Sequence, residues 1–198
     1  MSELSAPLVL ASASPRRSAI LRTLGIDFVA VTSQVDESSR TGEPPADFAV
    51  RVAADKAADV ARRLEGREVV LGADTVVVID DECLGKPSDD DEARRMIASL
   101  SGRWHEVLTA IALARAGGGA LGHDLVTTRV RFRGLTESEI HAYVASGEGR
   151  DKAGAYAVQG LGAGLVSEIA GCYHNVVGLP TTRTLQLLRR HGVLLGWP

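Results

Sequence analysis

The stretch REVVLGADTVVVIDDE, residues 67–82, limits what this chain can become more than any other. Its apolar residues do not alternate with polar ones, so a strand built from it has two faces to hide and belongs in the middle of a sheet. Asp80 to Glu82 then turn the chain. Helical patterns before and after this strand make the expected class α/β. One residue breaks the run. Asp74 places a carboxylate in a segment that reads as buried, and a buried charge requires a partner, a metal or a functional role. The plainer alternative is a structural aspartate bonded to loop backbone.

Around this strand the patterns alternate. Leu8 to Ala11 reads as a short strand, Ser14-Pro15 as an N-cap with proline at the first helical position, and Gly25 as the stop of that helix. Ile26 to Thr32 is a second expected strand, followed by a polar loop. A long helix is expected over Pro45 to Leu64, with Ala49, Ala53, Ala57, Val60 and Leu64 on one face. SDDDEARRMIASLSG reads as a helix capped by Ser88 with Asp91 completing the capping box. HEVLTAIALARA and LVTTRVRFR are two antiparallel strands about the turn AGGGALG, and Thr136 with Glu139 boxes the start of a helix reaching Ser146. After a glycine-rich stretch, LPTTRTLQLLRRHG closes the chain with a helix. No linker divides the 198 residues. The expectation is one α/β domain over residues 1–198, with a mixed, partly antiparallel central sheet flanked by helices.

Composition narrows the function classes. A net charge of −3 argues against a general nucleic-acid or membrane-surface binder, so any anion site must be local. The N-terminal residues show neither signal peptide nor membrane span, and a cytoplasmic location is expected. Cys83 and Cys172 have no zinc spacing and read as reduced packing thiols, and the five histidines form no HExxH. No GxxxxGK[ST] is present. GLGAGLV, residues 160–166, misplaces the third glycine of a dinucleotide fingerprint and reads as turns.

The first helix poses a charge problem. Arg16 and Arg17 fall in its first turn, where exposed N–H groups already make the end positive and each added cation costs about 0.3–1 kcal/mol. A solvated pair tolerates that penalty. The functional alternative is a ligand phosphate, which a helix N-terminus with arginines suits well. Other polar residues divide the same way. Asp36 and Glu37 are either loop solvation or acids of a site, Lys56 either snorkels from the long helix or serves a ligand, and Lys86 sits in the turn of LGKPS. Carboxylates beside several cations are what metal-assisted phosphate chemistry requires.

These motifs together resemble a known family, the Maf-like nucleotide pyrophosphatases. LASASPRR, VDE, ADKA, LGADTVV, LGKP, LSGRWHEVLT, DKAGAY, QG and NVVGLP occur in the family's order from Leu8 to Pro180, nearly the whole chain. The resemblance implies a two-lobed fold like that of Maf and ITPase proteins, with an active-site cleft between lobes and a homodimer as its assembly. It also implies hydrolysis of a nucleoside triphosphate to monophosphate and pyrophosphate with a divalent metal, Mg2+ or Mn2+. Carried onto matching positions, Asp74 is the proton acceptor, Glu37 and Asp74 are the metal ligands, and Ser12, Arg16, Arg17, Lys56 and Lys86 are the phosphate-binding set. The arginines would then be held ready for a triphosphate.

The resemblance also separates subgroups. The group that prefers 7-methylguanosine triphosphate looks like SPWR, SDQ and SEG where this chain has SPRR, ADT and VQG. A cationic, π-rich base suits a tryptophan and a glutamate. Arg16, Thr75 and Gln159 instead fit a uracil or thymine edge, which a glutamine amide reads with one donor and one acceptor. That points to dTTP and UTP. The alternative is a non-enzymatic nucleotide sensor, since the family is also linked to septum formation and cell-division arrest.

Overall fold

The strand expected from residues 67–82 is β4 (Val69–Ile79), and ten of its eleven residues are buried. Before it come β1 (Glu3–Leu4), β2 (Leu8–Leu10), α1 (Pro15–Thr23), β3 (Val29–Ala30) and α2 (Pro45–Ala61). After it come β5 (Glu82–Leu84), α3 (Asp90–Leu100), β6 (Trp104–Arg115), β7 (Gly119–Phe132), α4 (Glu137–Ala145), β8 (Val166–Ala170), α5 (Tyr173–Val177), α6 (Thr181–Arg190) and β9 (Leu194–Gly196). The structure, a computed structural model, describes residues 3–197. Its larger sheet runs β3-β2-β4-β6-β7-β8 with β5 beside β4, and β1 pairs separately with β9. The sheet is mixed, as expected: β2 is parallel to both β3 and β4, whereas β4–β5 and β7–β8 are antiparallel.

Two compact units divide the chain. The first comprises residues 1–74, 109–126 and 178–198; the second comprises residues 75–108 and 127–177. In the first, Leu8, Leu10, Leu21, Ile26, Leu71, Leu179 and Leu187 are fully buried, and at about 25 cal/mol per Å2 such side chains dominate its stability. In the second, the core centres on His105, Phe132 and Tyr156, whose rings meet edge to face with centroids 4.8–5.4 Å apart. His105 Nε2 lies 2.8 Å from the Tyr156 hydroxyl, and burial pushes the imidazole down to about 4, so it is neutral at physiological pH.

Several expected boundaries move for local reasons. The cap of α3 is Asp89, not Ser88, because the Asp89 carboxylate accepts the Glu92 N–H at 2.7 Å. Glu92, not Asp91, reaches back to the Ser88 N–H and hydroxyl, both at 2.6 Å. The second strand is only Val29–Ala30, since β2 offers it just Val9 and Leu10 as partners. Helix α2 stops at Ala61 rather than Leu64, because the Gly117 N–H takes both the Ala61 and Leu64 carbonyls. Strand pairing also consumes part of AGGGALG, with β7 already under way at Gly119.

Candidate active site

Two local devices in the first unit bring the sequence candidates together. At the end of β2 the chain enters α1 through Ser14, whose hydroxyl accepts the Arg17 N–H at 3.4 Å. Ser12 is buried, and its Oγ accepts the Ser14 N–H at 3.1 Å and Arg17 Nη1 at 3.2 Å. Arg17 Nε donates to the Gly178 carbonyl at 2.9 Å. The guanidinium is thus oriented by neutral acceptors, while Arg16 beside it is half-buried. Burial lowers the Arg17 pKa from its ordinary value, against the opposing pull of Asp74 and Glu37, yet an arginine keeps its charge in proteins.

The second device is Gly72. A Cβ there would lie 2.2 Å from the Ala53 carbonyl and 3.0 Å from the Ala57 methyl, so only glycine lets α2 approach β4 this closely. Asp74 stands two residues further along β4, on the same face as Gly72, and Lys56 is one helical turn from Ala53. The close approach sets them opposite each other. Lys56 Nζ donates to Asp74 Oδ1 at 2.8 Å and lies 3.0 Å from Glu37 Oε2. Lys56 is 6% exposed and Asp74 7%. The lysine therefore does not snorkel; its ammonium pairs with the buried Asp74 and the half-exposed Glu37, and removing the buried partner of such a pair costs about 3–5 kcal/mol.

Glu37 reaches this point because its loop is tied down. Asp36 accepts the Ser38 N–H and hydroxyl at 2.9 and 2.6 Å, a loop role that is one of its two readings, and these bonds lower its pKa. Arg51 donates to the Ser38 carbonyl at 3.0 Å and grips Glu43 at 2.6 and 2.7 Å. Arg51 and the Gly178 carbonyl escaped the sequence reading. Only NVVGLP, as a quoted motif, pointed near the second of them.

Could the acids hold a metal? Glu37 and Asp74 are hard oxygen ligands, one oxygen of each engaged by Lys56. Among the described residues no cluster of three or more His, Cys, Asp or Glu exists that could cage a metal by itself. Two carboxylates suit Mg2+ or Mn2+, ions that commonly complete their shell with water and substrate phosphate. The donor set fits such a shared ion.

The remaining candidates belong to the second unit. Thr75 follows Asp74 on the opposite face of β4 and is partly buried. Lys86 is exposed between β5 and α3, and Gln159 is exposed in the loop after α4.

Residues 7–191 match the family model described as "Maf-like protein". The chain belongs to the Maf-like family. A "dTTP/UTP pyrophosphatase" of Symbiobacterium thermophilum is 49% identical over 185 residues, covering 93% of this chain and 94% of that protein. One of the same name from Geotalea uraniireducens is 47% identical over 194 residues, covering 98% and 100%. A solved HAM1 protein from Coxiella burnetii aligns over 76% of this chain and 86% of its own at 21% identity, with a TM-score of 0.40. No helix among the described residues is long and apolar enough to cross a membrane.

Proposed function

We propose that this protein is a nucleoside triphosphate pyrophosphatase that hydrolyses dTTP and UTP to the monophosphate and pyrophosphate. The observation that carries the reading is the buried Asp74–Lys56 pair, joined by the exposed Glu37, beside the arginine-bearing start of α1, in a chain nearly half identical to relatives named for that activity. Asp74 takes the proton of a water whose oxygen attacks the α-phosphorus. As that P–O bond forms, the bond from the α-phosphorus to the bridging oxygen breaks and pyrophosphate departs. Lys56 holds the carboxylate in one orientation throughout. Glu37 and Asp74 would hold a divalent ion, which when bound supplies charge neutralisation to the phosphate oxygens. Ser12, Arg16, Arg17, Lys56 and Lys86 bind phosphate, and the α1 N–H groups add a further positive end. Arg16, Thr75 and Gln159 choose the base.

Pyrophosphate release measured with Mg2+ or Mn2+ on dTTP, UTP, CTP and 7-methyl-GTP tests the proposal. The expected order places dTTP and UTP first. In Gln159→Glu a carboxylate faces one pyrimidine carbonyl, an acceptor-against-acceptor mismatch costing about 1–3 kcal/mol once the bound base excludes water from it, so dTTP and UTP should fall together and further than a triphosphate with another edge. A wild-type preference for 7-methyl-GTP, or an equal loss on all four in the variant, overturns the base assignment.

A further inference from the structure

Gln159 lies between two short 3-10 helices, Ala153–Ala155 and Gly160–Leu165, and the backbone is gripped on both sides of that residue. Two positions before it, the Ala157 N–H donates to the buried Tyr143 hydroxyl of α4 at 3.1 Å. Two and three positions after it, the Leu161 and Gly162 N–H groups donate to the two oxygens of Glu148, at 2.9 and 2.8 Å. Val158 is buried and Gln159 exposed, so the grip fixes the backbone and leaves the amide presented. Burial works to raise the Glu148 carboxyl, but the Gly162 and Leu161 N–H groups and the Tyr143 hydroxyl outweigh it, keeping it below its usual value.

The glycines of GLGAGLV find their reason here. A Cβ on Gly160 would stand 2.1 Å from Glu148 Oε1, and its φ of +64° is one that residues with side chains rarely adopt. A Cβ on Gly162 would stand 2.0 Å from the Ala157 carbonyl and 2.9 Å from the Tyr143 hydroxyl. The glycines make room for the two side chains. Glu148 itself is anchored from behind, where Lys152 Nζ donates to its carbonyl.

We propose that Glu148, with Tyr143, is the positioning residue that sets the Gln159 amide for base recognition. The proposal rests on the reading of Gln159 as the base-reading residue. A carboxylate is the fitting group because it only accepts, and two consecutive N–H groups need two acceptors. An amide supplies one acceptor and turns a donor toward the other N–H. A reader that recognises a base by donor and acceptor order must be held within about 0.5 Å, and an exposed glutamine on a free loop would not be.

The test measures kcat and KM on dTTP, UTP and CTP for Glu148→Gln, Glu148→Ala, Gln159→Ala and the double variant Glu148→Ala/Gln159→Ala. The isosteric Glu148→Gln serves if the alanine variant folds poorly. Both Glu148 variants should lower the dTTP-to-CTP ratio of kcat/KM about tenfold, chiefly through KM, and the double variant should be no worse than Gln159→Ala. A merely structural role lowers all substrates in parallel and leaves the ratio alone. An unchanged ratio in both Glu148 variants, with a changed one in Gln159→Ala, overturns the brace only. An unchanged ratio in Gln159→Ala overturns the base reading and the proposal with it, and effects that add in full in the double variant overturn the coupling.

Discussion

Helices α1 and α3 start from the same kind of cap, yet the first turn of one holds two arginines and that of the other three acids. In α3 the local chain completes its own terminus: Asp89 takes the Glu92 N–H, Glu92 takes the Ser88 N–H, and the acids complement the helix dipole. The chain gains stability and nothing is left to bind. In α1 the dipole is opposed, and what offsets the cost comes from distant sequence. Gly178 orients Arg17, and the charges of Asp74 and Glu37 reach it from β4 and the loop before α2. A terminus finished by its own residues is structural; one balanced from elsewhere is where the proposed phosphate site lies.

Removing a distant balancing charge should break the α1 side most severely. Asp74→Asn deletes the proposed proton acceptor while keeping its shape, and pyrophosphate release should fall about 100 to 10,000-fold with the circular dichroism spectrum retained. Near-wild-type kcat in a folded variant would remove Asp74 from the chemistry. Arg17→Ala comes next. Transition-state charge stabilisation of this kind carries about 10²–10³ in rate, so kcat/KM should drop by that order. Its stability should fall modestly. The lost bonds to Ser12 and Gly178, about 0.5–1.5 kcal/mol each, are partly returned by about 0.3–1 kcal/mol of dipole relief, and thermal denaturation should place Tm no more than about 10 °C below the wild type.

The mirror experiment belongs to α3. Asp89→Ala removes a cap worth about 1 kcal/mol, lowering Tm by about 2–4 °C with kcat/KM unchanged. Equal kinetic damage from the two helices would erase the contrast between them. The smallest effect is in acid. The Glu92 N–H holds the Asp89 carboxyl below its ordinary value, and Ser88 does the same for Glu92. A carboxyl depressed on folding stabilises above its unfolded pKa and loses that contribution as pH falls through the folded one. Thermal scans of wild type and Asp89→Ala should therefore converge below about pH 4. A gap that persists undiminished in acid would show that charge has no part in this cap.

Wherever the deciding interaction spans a few residues, the sequence was a sound guide. Ser14-Pro15 starts α1, Thr136 and Glu139 form the expected capping box of α4, and the unbroken apolar run of β4 is buried. Even the misplaced cap of α3 is off by one residue, because Ser88 and Asp89 compete for the same role and the carboxylate is the one that takes the Glu92 N–H. The short β3 and the early stop of α2 depended instead on what strand or N–H group arrived from far along the chain.

The site divides along the same line. Motif order named Asp74, Lys56, Glu37 and the arginines, and the odd charge of Asp74 in its strand and of the arginines in their helix was visible without any fold. Tertiary structure alone decided that Lys56 is buried between two carboxylates 18 and 19 residues away, that Gly178 turns Arg17, and that Glu148 braces the loop of Gln159. The reason is physical. Caps and periodicities are settled by neighbours within about one helical turn, which a sequence displays directly, whereas an ion pair or a brace exists only after packing has fixed two distant segments against each other, as Gly72 does for α2 and β4.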